Sequence, residues 1–239
     1  MRRAEVLREL VAQGRSHSPE RIHELAADLG LLAADLFVIA GRPVPAHLLP
    51  PARDAEVLRE FTYRVTFCGH AQLASLQEFV LSQASAGPGP APEVPHDARS
   101  APSGTDRFAD ILDGFLRNRG LGIRELPFAG LSVSTIRGML GGRFHNLQQL
   151  KAMAGPLGWT LEDLAAVAGE PLGGFGDCST LCHHVGRVYL AAIPLTTAQL
   201  VRAAAEADRL SGREDRGAWR PAAQQVDDCP DGGGPGRGA

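Results

Sequence analysis

The sequence predicts an all-α protein made of two diverged copies of one helical unit. Three observations carry this. Apolar residues recur at helical spacing, as in Phe108, Ile111, Leu112 and Phe115, which lines them along one face of a helix. Capping residues and glycines cut these runs into short helices. Blocks of sequence also repeat at a nearly constant spacing. Leu29-Gly30 and Leu157-Gly158, Asp35-Leu36 and Asp163-Leu164, and Ala40-Gly41 and Ala168-Gly169 all lie 128 positions apart. Ala71-Gln72-Leu73 and Ala198-Gln199-Leu200 lie 127 apart. Colinear matches at almost one offset point to a tandem duplication.

The bulk numbers set bounds on function. A chain of 239 residues holds one or two domains with a buried core. Aromatic residues are 5% of it, so aliphatic side chains must build that core. No apolar run approaches the ~18 residues of a membrane span. Met1-Arg2-Arg3 leads into an amphipathic stretch and not an apolar signal core, so a cytoplasmic protein is expected. Four cysteines are too few for a disulfide scaffold. The net charge of −3 gives no global signature of nucleic-acid binding, so that case rests on local charge. Lys151 is the single lysine among many arginines. With the abundance of Ala, Gly and Pro, this points to a bacterium with a GC-rich genome.

Taken in order, residues 1–82 form a truncated helical unit. The second unit has about 27 residues ahead of the part that matches the chain start, and the first has no counterpart for them. The run Glu60-Phe61-Thr62-Tyr63-Arg64-Val65 alternates like a strand, but its neighbours are helical and a helix is expected. Residues 83–105, rich in Pro, Gly, Ser and Ala, read as a linker. Residues 106–170 divide into five helices: about 107–118, 123–129, 133–141, 147–157, and one opened by Thr160. Ser132, Asn146 and Thr160 are the expected N-caps, and Gly158 and Gly169 the expected stops. Ile136, Leu140, Val133, Leu147, Leu150, Met153 and Leu157 face inward in this reading. Residues 171–211 add further helices, ending in an amphipathic one from Ala198 that packs on its own domain or mediates dimerisation. Residues 212–239 read as a disordered tail.

The run from Arg107 to Gly169 resembles the XRE, or lambda-repressor-like, helix-turn-helix regulators of bacteria. The resemblance rests on Arg124-Glu125-Leu126, the turn Gly130-Leu131-Ser132, Ser134-Thr135-Ile136, and the closing Leu157-Gly158, Leu161 and Asp163-Leu164. It implies a five-helix domain whose third helix enters the major groove with its N-terminal residues toward base edges. Carried onto this sequence, Ser132, Ser134, Thr135 and Arg137 would face the bases. Arg137 is the strong reader, able to hold guanine through two hydrogen bonds. Arg117, Arg119, Arg124, Arg143 and Lys151 would hold the phosphate backbone. Between residues 117 and 151, six positive groups meet one negative, Glu125. The chain departs from the family pattern at Pro127, inside the second helix, and at Gly138, Gly141 and Gly142, in or just after the third.

Two clusters suggest metal or nucleophile chemistry: Cys178, Cys182, His183 and His184, and Cys68-Gly69-His70. Thiolates and imidazoles bind zinc, but neither spacing is a recurrent zinc pattern. Side chains two positions apart, like Cys68 and His70, diverge on a helix or strand. No phosphate loop, nucleophile elbow or carboxylate pair is present. The sequence therefore favours a sequence-specific transcriptional regulator with no cofactor. Double-stranded DNA would be its partner, a homodimer its working form, and a small molecule or protein a possible effector. Two other readings stand beside it: a helical protein-interaction module that does not bind DNA, and an enzyme or small-ligand binder on a repurposed regulator scaffold.

Overall fold

The computed structural model describes residues 3–85, 107–125, 130–143, 146–172 and 180–213, and every regular element among them is a helix. In chain order these are α1 (Arg3–Gln13), α2 (Pro19–Leu29), α3 (Ala33–Ile39), α4 (Ala55–Val65), α5 (His70–Ser85), α6 (Arg107–Asn118), α7 (Val133–Leu140), α8 (Leu147–Leu157), α9 (Leu161–Ala168), α10 (Thr180–Ala191) and α11 (Thr197–Ser211). Single 3₁₀ turns cover Gly14–Ser16, Ala46–Leu48 and Ile123–Glu125. None of the helices is long and apolar enough to cross a membrane.

Helix ends follow from local chemistry. Ser18 accepts from the Arg21 N–H at the start of α2, with Pro19 at the first helical position. Asn146 and Gln149 form a reciprocal capping box on α8. Gly30 and Gly158 close α2 and α8 in the left-handed conformation, at φ 61° and 72°, where a side chain is strained. Gln72 accepts from the Gly69 N–H before α5, and Gln199 from the Thr196 N–H before α11. The apparent strand pattern at Phe61, Tyr63 and Val65 lies in α4. There Phe61 and Val65 are buried and Tyr63 half-buried, because the helical period of 3.6 overrides the short alternation.

The two halves of the chain share one core. α11 lies against α4 and α5, and α10 against α5, so four helices from the two halves pack together. Two of their cross-bonds form an exchanged pair. Gln72 Nε2 donates to the Leu210 carbonyl at 2.6 Å, and Gln199 Nε2 to the Gln83 carbonyl at 2.6 Å. Tyr189 Oη donates to the Thr62 carbonyl at 3.1 Å. Positions 72 and 199, 83 and 210, and 62 and 189 are all separated by the 127 residues found in the sequence repeat. Gln83 to Ser85 therefore belong to α5, not to the linker expected from residue 83. The remainder of that linker, from 86 to 105, and the tail beyond Arg213 lie outside the described residues.

The second junction is polar and buried. α3 packs on α6, and α1 on α9. Asp35, fully buried on α3, accepts from Arg119 at both carboxylate oxygens, at 3.0 and 2.7 Å. Asn118 Nδ2 and Trp159 Nε1 complete its shell at 2.9 and 3.0 Å. Arg119 also donates to the carbonyls of Phe115 and Leu157. All five guanidinium N–H groups and both carboxylate oxygens are thus engaged, the condition under which a buried ion pair is tolerated. At the matching position Asp163 is met by Arg3 at 2.9 Å. Each aspartate of the repeat is paired with an arginine of the other half. Nearby, Arg53 donates to the carbonyls of Ala192 and Arg119 at 3.1 and 2.6 Å. Burial pushes its pKa down to about 10, so it remains a cation at neutral pH.

Candidate nucleic-acid interface

α7 owes its position to both halves of the chain. It packs on α6 and on the turn Ile123–Glu125, and that turn packs on α4. Ile136 and Met139 are buried and anchor the inner face, while Val133 and Leu140 are half-buried and not fully inside as expected. Ser132 caps the helix by accepting from the Thr135 N–H at 3.1 Å. The same hydroxyl lies 2.8 Å from Ser134 Oγ and 2.9 Å from Thr135 Oγ1. Three hydroxyls are thereby gathered at the N-terminus of α7.

Ser132, Ser134 and Arg137 are exposed and Thr135 is half-buried. Of the glycines in this region, Gly138 is inside α7 and buried, whereas Gly141 caps the helix and Gly142 follows at φ 66°. Two of the three therefore end the helix and do not weaken its interior. Arg143 turns back on α7, its N–H donating to the Gly138 carbonyl at 3.1 Å. The side chains of Arg143 and Arg124 are exposed. Of the second helix expected over 123–129, Ile123–Glu125 forms a 3₁₀ turn, and residues 126–129, Pro127 among them, lie outside the described residues.

Two of the expected phosphate contacts change. Arg119 does not face solvent: it is 3% exposed and committed to Asp35. Arg117 is exposed but paired with Asp113 at 2.7 Å. Lys151 is half-buried on α8. The exposed cations nearest α7 in sequence are thus Arg124, Arg137 and Arg143.

The Cys/His clusters take different roles. Cys178 lies outside the described residues. Cys182 is half-buried where α10 crosses α8, its Cβ against Gly155. His184 meets the ring of His70 edge-on, with centroids 5.3 Å apart, a cross-half contact invisible in the sequence. Among the described residues, no group of three or more His, Cys, Asp or Glu side chains could hold a metal ion. Cys68 is buried beside the Ala207 carbonyl. Burial, helped by the Asp208 carboxylate, raises its thiol pKa from 9.0 to about 11. At pH 8 the native Cys68 thiol should alkylate roughly 100-fold more slowly than in urea, since only the thiolate reacts. Peptide mass mapping after timed iodoacetamide treatment reads this directly, and equal rates in both states would refute it.

No protein-family model, curated protein or solved structure matches this chain.

Proposed function

We propose that the chain is a DNA-binding regulator of the helix-turn-helix type, with α7 as its reading helix. The observation that carries this is the outward face of α7. It combines capped hydroxyls at the N-terminus, an exposed Arg137 one turn on, and an inner face held by Ile136 and Met139. A helix presented in this way fits the major groove, and Arg137 can hold guanine through two hydrogen bonds. The exchanged cross-bonds at a constant spacing support descent from a tandem duplication of one helical unit.

The test is a mobility-shift titration with the full chain on its selected DNA. Arg137→Ala should weaken the preferred site by about 1–3 kcal/mol and leave non-specific binding nearly unchanged. With Arg119 withdrawn into the core and Arg117 paired with Asp113, about three phosphates remain to be met by Arg124, Arg143 and Lys151. The salt dependence should then have a log–log slope near −3 per chain, from the usual ~0.9 counterions per phosphate contact. No shift at low salt would end the regulator reading.

One observation favours the protein-interaction reading: burial of Arg119 and pairing of Arg117 with Asp113 reduce the positive charge available to DNA. A slope near zero, with binding to protein and not to DNA, would select that reading.

A further inference from the structure

A duplicated helix-turn-helix chain could act as a single-chain dimer, with two reading helices facing two half-sites. From the arrangement of α1 we infer that this chain does not: α7 is its one reading helix, and each chain engages a single half-site. The inference rests on the regulator reading above.

α1 is the positional counterpart of α7. Ser18, which caps α2, corresponds to Asn146, which caps α8. Counting back from those caps, Val6, Leu7 and Glu9 of α1 fall opposite Ser134, Thr135 and Arg137, the reading residues of α7. Val6 and Leu7 are buried, so two of the three positions are closed to DNA. Glu9 puts a carboxylate where α7 has its base-reading arginine. Glu5, Arg8 and Glu9 are exposed, so two carboxylates flank the one exposed arginine of α1. DNA presents a phosphate charge about every 1.7 Å of its axis and disfavours such a face.

The surroundings of α1 have changed as well. α7 rests on α6 and the turn Ile123–Glu125. α1 instead packs on α9 and α3. Arg3, at the N-terminal end where a reading helix would meet base edges, is paired with the buried Asp163 at 2.9 Å. The helix that once matched a reader has become a strut between the two halves.

The experiment is selection of bound sequences from a random duplex library by the full chain. Footprinting and native mass spectrometry of the selected complex then count chains per block. The expected result is one contiguous block per chain, shorter than a helical turn of about 10 base pairs. Arg137→Ala should lower affinity for it roughly 5- to 150-fold. Arg8→Ala, which leaves the inner face of α1 intact, should change affinity less than about twofold, as surface substitutions do. Two chains on a palindrome, one block each, also agree. One chain protecting two blocks a helical turn apart, with Arg8→Ala weakening one of them, overturns the inference and leaves the regulator reading standing. Failure to enrich any sequence, with no shift at low salt, overturns both.

Discussion

Asp35→Ala should destabilise the protein by about 3–5 kcal/mol, the usual cost of removing one partner of a buried ion pair. The cost comes from what is left behind. Arg119, 3% exposed, would keep its charge in an apolar setting with only the Phe115 and Leu157 carbonyls to share it. Asn118 Nδ2 and Trp159 Nε1 would lose their acceptor too. For a chain of this size, 1 kcal/mol moves the melting temperature by roughly 2–4 °C, so a fall of about 10 °C is expected. The pair itself need not be strongly stabilising: Asp35→Leu with Arg119→Met, which removes both charges, should recover much of the loss. Urea unfolding followed by circular dichroism separates the two variants. A loss under about 1 kcal/mol for Asp35→Ala would mean that water reaches Arg119.

That cluster also marks where sequence reading stops. The ends of α8 and α9 were legible because caps are decided within four residues: Asn146 with Gln149, Thr160 with Asp163, and Gly158 behind Leu157. Ser132 was legible for the same reason. Gln72 and Gln199, which sit in matching tripeptides of the sequence, each reach a carbonyl on the other half. Arg119 was not legible. It lies among arginines that do face solvent, and its partner is 84 positions away on α3. One signal could have found it: Asp35 and Asp163 recur in both copies inside apolar segments, and a carboxylate in such a setting requires a cation. Applied to both positions, that rule calls for two arginines from elsewhere in the chain, which are Arg119 and Arg3. The contact of His70 with His184, and the seating of the Ile123–Glu125 turn on α4, depend on how the halves dock. No local pattern encodes them.

The crossing of α8 and α10 carries the second large effect, because two backbones meet there with no side chain between them. A Cβ at Gly186 would lie 2.0 Å from the Gly155 carbonyl oxygen and 3.0 Å from the Gly158 nitrogen. Neither atom can turn aside as a flexible side chain would, so α10 must move off α8. Gly186→Val should therefore cost about 3 kcal/mol, the upper end for overpacking a close-packed interior. The gain in helix propensity from removing a glycine, about 0.5–1 kcal/mol, is too small to offset it. Gly155→Val should behave alike, since its Cβ would lie 2.5 Å from the Cys182 Cβ. The two changes push the same helices apart, so the double variant should lose distinctly less than the sum of the singles. Full additivity in urea titrations would show that the two glycines relieve separate clashes. Leu181→Ala, on the exposed side of α10, should stay within about 0.5 kcal/mol of the parent, which assigns the loss to the crossing and not to α10 itself.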